Sequence, residues 1–181
     1  MLFVLLLLLA AGAFFDARWR KIPNPLIALM LLSGTILCGA SGAFVGMAAF
    51  WGRFFLSVLV LFPLYALRMF GAGDLKLIGC MVAFMGFARG ATATFLGLVM
   101  VAVCGGAMLC LRGVLWERLA YFGRYALCVI QTKKLIPYDG LVEAGDKRGK
   151  RGIPMAPFLF LGAAAYVLYA LVSGAGIPAA G

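Results

Sequence analysis

Two acidic residues, Asp16 and Asp74, have the type and the position that catalysis would require. The chain has 181 residues, of which 65% are hydrophobic and only six are acidic. Each aspartate lies at the end of a long apolar stretch, and ionisable groups near membrane depth are costly and seldom present without a function. When two carboxyl groups share a poorly solvated site, one keeps its proton as an acid while the other acts as a base on water. Such a pair can hydrolyse an amide without a metal, a nucleophilic side chain or a cofactor.

Each aspartate also has a purely structural interpretation. Asp16 could balance Arg18 or Arg20 at the membrane interface, and Asp74 could cap a helix N-terminus, where the helix dipole favours negative charge. Taken singly, each structural interpretation is at least as good as catalysis. When the two aspartates are considered together, the catalytic interpretation is favoured, because the chain has so few acidic residues.

Composition sets the class of protein. A mean hydropathy of +1.09 and runs such as MLFVLLLLLAAGAFF exceed what a soluble core can hide and predict an integral membrane protein. The opening run has no basic residue before it, which favours a retained first span over a cleaved signal peptide. Histidine is absent, and the five cysteines form no C-x-x-C motif, so we expect no metal site and no cofactor.

The apolar stretches predict an all-α, polytopic fold. At about 20 apolar residues per crossing, six spans fall near residues 1–15, 25–41, 50–69, 75–88, 90–111 and 153–172. The chain, 1–181, is predicted to be a single membrane domain. Small residues at Gly97, Gly105, Gly106 and Gly162 are expected to permit close helix contact.

Basic residues predict the orientation, because Lys and Arg concentrate in cytoplasmic loops. With six spans and an outside N-terminus, all basic residues but Arg53 and Arg89 lie inside, most of them in the loop 112–152. If residues 75–111 formed a single span, the loop 112–152 would lie on the outer side of the membrane. Within it, residues 115–136 fit either an amphipathic interfacial helix or a solvated linker. The net charge of +10 therefore indicates anionic lipid headgroups as partners, and no nucleic acid.

The same topology relates the two aspartates. The segment 25–70 fits two crossings, and an even number of crossings returns the chain to its starting side. Asp16, at the end of the first span, and Asp74, at the start of the fourth, are therefore predicted at the same cytoplasmic face. The sequence permits them to meet.

The residues around Asp74 form a short G-x-G-D motif. Gly71 and Gly73 would let the backbone approach a substrate or adopt unusual torsions, although a tight turn explains them equally well. Lys76 could lower the pKa of Asp74, steer an anionic group, or extend to the lipid headgroups.

Three motifs together resemble the type IV prepilin peptidases, which are membrane aspartic proteases of the G-x-G-D kind. They are DAR at 16–18 with KIPN at 21–24, GAGDLK at 71–76, and GIPMAPF at 152–158. The resemblance implies that Asp16 and Asp74 are the catalytic pair. It also implies removal of the short leader from prepilins or pilin-like precursors at the cytoplasmic face of the inner membrane.

The resemblance has further implications for the site. Ile22, Pro23 and Asn24 would shape the turn that presents Asp16. Pro154 and Pro157 would hold extended backbone near the site for substrate pairing, with an ordinary helix start as the alternative.

Full-length family members carry an additional N-terminal region with paired C-x-x-C motifs, which accompanies methylation of the new N-terminus. This chain lacks the motifs, so N-methyltransferase activity is not expected. The chain resembles the compact, peptidase-only form found with tight-adherence (Flp) pili, and archaeal preflagellin peptidases are a close second within the same chemistry.

Two other classes of protein remain as alternatives. A small ion- or proton-coupled transporter would use intramembrane acids, but it is expected to carry them near the middle of a span. A noncatalytic pilus-assembly protein would tolerate neutral residues at both aspartates. The sequence does not indicate an oligomeric state.

Overall fold

The structure of the protein, a computed structural model, is a bundle of packed helices. The structure describes residues 1–40, 44–67, 70–113 and 154–173, with positions 115–117, 119, 120, 123, 124 and 127. The helices with defined bounds in these ranges are α1 (Leu2–Trp19), α2 (Asn24–Ala40), α3 (Phe44–Ala66), α4 (Ala72–Met85), α5 (Phe87–Leu111) and α6 (Ala156–Val172). No strand occurs in the described residues, so the prediction of an all-α fold is confirmed.

The helices differ in their capacity to cross a membrane. Over the described residues, α1, α3 and α5 are long and apolar enough to do so, whereas α2 and α6 are apolar but shorter. Helix α4 has 14 residues and a length of about 21 Å at about 1.5 Å per residue, less than the roughly 30 Å of the hydrocarbon core. A helical membrane protein is therefore confirmed, and the number of six crossings stays a prediction.

Two predicted boundaries were wrong. The third helix begins at Phe44 and ends at Ala66, not at 50 and 69, because the apolar residues before 50 continue the helix. The turn between the fourth and fifth helices is at Gly86 rather than near Arg89. Gly86 has φ +84°, a conformation that glycine adopts without steric cost.

Helix α4 is the centre of the bundle. It contacts each of the other five helices, and Leu77, Cys80 and Met81 are fully buried on it. A helix that is apolar on all sides is typical of a buried position. By contrast, α3 and α5 expose large apolar side chains such as Phe55, Leu59 and Phe95, as helices that face lipid do.

Glycines bring α6 close to α5. A Cβ atom built on Gly162 would lie 2.5 Å from both the Ala93 oxygen and the Gly97 nitrogen. One built on Gly97 would lie 2.9 Å from the Phe158 oxygen. The prediction of close helix contact is thus confirmed for Gly97 and Gly162. The same prediction is wrong for Gly106, where a Cβ would meet nothing within 4 Å.

Four helix ends meet at one end of the bundle: the C-terminus of α1 and the N-termini of α2, α4 and α6. Three contacts define this arrangement, between Gly73 and Ile22, between Lys76 and Asn24, and between Ala156 and Asp16. Asp16 and Asp74 therefore lie at the same end of the bundle, with the two helices α2 and α3 between them in the chain.

Most of the basic loop 112–152 lies outside the described residues. Within the predicted interfacial segment, 115–136, the described positions up to 127 are helical. Trp116, Leu119 and Leu127 are exposed there. Placement of this segment at the membrane interface stays a prediction.

Candidate active site

Asp16 is a buried carboxylate in the last turn of α1, with 8% of its surface exposed. Its Oδ2 accepts a hydrogen bond from the backbone N–H of Ala156 at 3.0 Å. Arg20 ends the helix in the left-handed conformation (φ 56°), with its N–H donating to the Asp16 carbonyl, which is a usual way to end a helix. Arg18 and Arg20 are exposed, and within the described chain neither forms an ion pair with Asp16. Charge balance by these arginines therefore does not explain Asp16.

Asp74 lies in the first turn of α4, three residues after the N-cap residue Gly71. The Gly71 N–H donates a hydrogen bond to its carboxylate, as an acidic residue at the third helical position often accepts from the N-cap. Gly71 has ordinary torsions, φ −73° and ψ 148°, but a Cβ there would lie 2.9 Å from Asp74 Oδ2. A side chain at position 71 would therefore displace the Asp74 carboxylate rather than strain the backbone. The helix-cap interpretation of Asp74 describes a real contact.

The two carboxyl groups interact electrostatically. The pKa of Asp74, which lies at the helix end ahead of the apolar part of α4, is raised from 3.8 to about 6. Burial is the largest cause, the negative charge of Asp16 also raises the pKa, and the Gly71 N–H opposes both. Asp74 therefore keeps its proton to a higher pH than an ordinary aspartate.

The surroundings of the two aspartates differ in kind. Asp16 faces the first N–H of α6, and the N-terminus of a helix favours a negative charge. Asp74 is in a setting that favours its neutral form. Opposite environments for two neighbouring carboxyl groups are the usual basis for dividing acid and base roles between them.

The predicted turn residues surround this site. A Cβ on Gly73 would lie 3.2 Å from Ile22 Cβ, so α4 packs directly on the turn after α1. The carbonyl of Pro23 accepts the Leu26 N–H at 3.1 Å and opens α2. The first contact places Ile22 beside the G-x-G-D segment, and the second shows that Pro23 takes part in the start of α2.

Lys76 does not lower the pKa of Asp74, which is one of the three roles suggested from the sequence. Its Nζ donates to Asn24 Oδ1 at 3.2 Å, which ties the start of α4 to the start of α2. It is not among the causes that shift the pKa of Asp74, and that shift is upward. The suggestion that Lys76 lowers the pKa of Asp74 is therefore wrong.

The two prolines at the start of α6, Pro154 and Pro157, lie close in sequence to Ala156, which contacts Asp16. Pro157 is the second residue of α6, and Pro154 precedes the helix by two positions. The backbone at Pro157 is helical rather than extended, so the helix-start interpretation holds there. Sequence reasoning missed the Ala156 N–H, because a backbone donor carries no residue-type signal. Only the helix-start pattern around the prolines pointed to its position.

The helical bundle and its three potential spans define a helical membrane protein, and Asp16 and Asp74 lie at one end of it. A family model described as the type IV leader peptidase family matches residues 3–106. The chain belongs to this family, and it is a peptidase of the type IV leader peptidase kind. The matched range includes both Asp16 and Asp74, whereas α6 lies beyond it. Neither the comparison with curated proteins nor that with solved structures gave a match.

Proposed function

We propose that the protein is an aspartic endopeptidase that removes the leader from pilin-like precursors with water activated by Asp16 and Asp74. The observation that carries the proposal is that these carboxyl groups, from α1 and α4, lie close enough for one to raise the pKa of the other. Family membership supports the peptidase activity and the class of substrate.

The roles follow from the surroundings of each carboxyl group. Ionised Asp16 takes a proton from water, whose oxygen bonds to the scissile carbonyl carbon, while Asp74 gives its proton to the carbonyl oxygen. The carbonyl then re-forms as the C–N bond breaks. Asp74 takes its proton back, and Asp16 passes the proton from water to the departing amine, which leaves both groups as they began.

The substrate would be held by the apolar surface of the bundle. In this proposal, the hydrophobic helix of the precursor docks between spans at the end where α1 and α4 meet, and the leader crosses the site. The bias of basic residues supports a cytoplasmic site in the inner membrane. The basic loops orient the enzyme rather than bind a basic leader, which they would repel. The functional unit would be one membrane domain, 1–181, because α6 packs on α1, α4 and α5.

A reconstitution experiment tests this function. The purified protein in lipid vesicles is incubated with candidate pilin-like precursors, and the product termini are read by mass spectrometry. We expect a single cut between the leader and the hydrophobic helix. Intact precursors under conditions where the protein is folded would contradict the proposal.

The proposed roles predict how activity depends on pH. Because Asp74 must carry a proton, and its pKa is about 6, we expect the cleavage rate to fall as the pH rises through this region. An ordinary aspartate would lose its proton well below this pH. Initial rates across a pH series in vesicles measure the descending limb, and a rate that stays constant through pH 6 and above would contradict the acid role of Asp74.

Metal chelators are expected to leave the cleavage rate unchanged. The chain has no histidine, and its described part holds no cluster of three metal-ligating side chains. Rates with and without EDTA, after thorough dialysis, provide the measurement. Inhibition that added Zn²⁺ or Mg²⁺ reverses would show that a metal takes part.

The mature product is expected to carry no methyl group added by this chain. The C-x-x-C motifs that accompany methylation in longer relatives are missing from the sequence. Mass spectrometry of the product after incubation with enzyme and S-adenosylmethionine tests this prediction. A mass increase of one methyl group with purified enzyme would refute it.

A further inference from the structure

We propose that the first turn of α6 positions Asp16 for catalysis through the backbone N–H of Ala156. This inference rests on the proposed function, and it assigns a role to a helix that lies beyond the family match. Ala156 would be a positioning residue, since it acts on the reaction only through the Asp16 carboxylate.

The hydrogen bond between the Ala156 N–H and Asp16 is a buried tertiary contact between two helices. It joins residues 140 positions apart, and both are buried, Ala156 completely. The N-cap residue of α6, Met155, makes no side-chain capping hydrogen bond. Asp16 therefore serves as the cap of α6 from another helix, and the N-terminus of α6 in return favours the ionised carboxylate.

Other charged groups do not substitute for this donor. From α4, Asp16 faces the carboxyl group of Asp74, which offers no positive charge, while Lys76 is held by Asn24. On α1 itself, Arg18 and Arg20 are exposed. Helix α2 and the described range 154–173 contain no Lys, Arg, Asp or Glu. Among the described residues, Ala156 thus provides the one hydrogen bond recorded to the Asp16 side chain.

The interface with α5 determines where this donor lies. Gly162 and Gly97 let the backbones of α6 and α5 come into direct contact, and Leu159 and Ala163 are fully buried along α6. A helix packed this closely has little freedom to slide. The position of the Ala156 N–H over Asp16 is therefore fixed by contacts made far from the site.

The sharpest test removes the N–H alone. Replacing Ala156 by lactic acid during cell-free synthesis converts this amide to an ester and changes no side chain. The matched control replaces Phe158 by phenyllactic acid, which removes an N–H that donates to Met155 in the same helical turn. For the Ala156 ester we expect kcat to fall roughly tenfold to a hundredfold, the value of a hydrogen bond to a charged group, with KM unchanged.

The division of the effect between kcat and KM separates positioning from structural support. Without the donor, the Asp16 carboxylate is no longer held in place, so each folded enzyme molecule turns over more slowly at an unchanged KM, whereas the Phe158 ester keeps the wild-type values. Gly162→Ala, which would displace α6, is expected to lower kcat in the same way. Gly106→Ala, on the open side of α5, leaves kcat unchanged.

An Ala156 ester with the wild-type kcat would overturn the inference. So would a lower yield of folded enzyme in which each folded molecule keeps the wild-type kcat, because a structural role alone gives that result. If wild-type protein cleaves precursors and the ester is unaffected, only this inference fails. If the folded wild type cleaves none, the proposed function fails and this inference falls with it.

Discussion

Asp74→Asn is expected to lower the rate of leader removal by roughly 10² to 10⁴-fold, the usual contribution of a general acid. Asparagine keeps an Oδ1 that can accept the hydrogen bond from the Gly71 N–H, so the cap at the start of α4 is retained. What the variant loses is the proton that Asp74 would deliver to the scissile carbonyl oxygen. The substitution thus separates catalysis from the helix-cap interpretation, which predicts little loss.

The measurement is the fraction of precursor cleaved in vesicles, with thermal unfolding in detergent to establish that the variant is folded. Asp16→Asn is the parallel variant, because its Oδ1 can still accept from the Ala156 N–H, and we expect a loss of the same order. Full processing by either variant would refute the dyad. Ion flux without any cleavage by the wild type would instead favour a transporter.

Gly71→Ala is expected to reduce kcat by roughly 10²-fold, as small displacements of a catalytic group can. The backbone at Gly71 accepts alanine, since φ is −73° and ψ is 148°. The added Cβ would however lie 2.9 Å from Asp74 Oδ2 and would push the carboxyl group away from its place. The loss therefore comes from a moved side chain rather than from a strained backbone.

Gly52→Ala is the matched control for this variant. A Cβ on Gly52, in α3, meets nothing within 4 Å, and we expect wild-type cleavage. Both variants are assayed at the same level of folded protein. Unimpaired cleavage by Gly71→Ala would mean that the carboxyl group of Asp74 is not held in a catalytically required position.

The sequence predicts the helices and the location of both aspartates at one end of the bundle well, because both follow from long-range regularities. Apolar stretches locate six helices, and an even number of crossings between Asp16 and Asp74 brings both to one end of the bundle. Helix boundaries are less well predicted. In α3, apolar residues lie on both sides of the predicted start at residue 50, so the sequence pattern does not mark where the helix begins. The turn at Gly86 depends on a single positive φ, which many glycines could have supplied.

The role of α4 was harder to predict than its existence. An apolar stretch of about 10 to 14 residues is more typical of a buried helix than of a crossing, and α4 is the buried centre of the bundle. The concentration of basic residues in the cytoplasmic loops nevertheless predicts six membrane spans, of which α4 is one. Packing around a helix is a tertiary property, and no local pattern indicates which helix the others surround.

The contacts of individual site residues could not be read from the sequence. Lys76 follows Asp74 closely in the chain, yet it bonds to Asn24, 52 positions away. The donor to Asp16 is a backbone N–H of α6. In both cases the partner is set by which helix ends converge, and that convergence depends on the glycine contacts of α4, α5 and α6.

The central claim is that the carboxyl groups of Asp16 and Asp74 interact directly enough to share one proton between them. Infrared difference spectroscopy across a pH series measures it, with the protonated carboxyl band of Asp74 identified by its loss in Asp74→Asn. We predict that this band titrates near pH 6 in the wild type and at lower pH in Asp16→Asn, where the neighbouring negative charge is gone. A band that titrates at the same pH in both proteins would contradict the account.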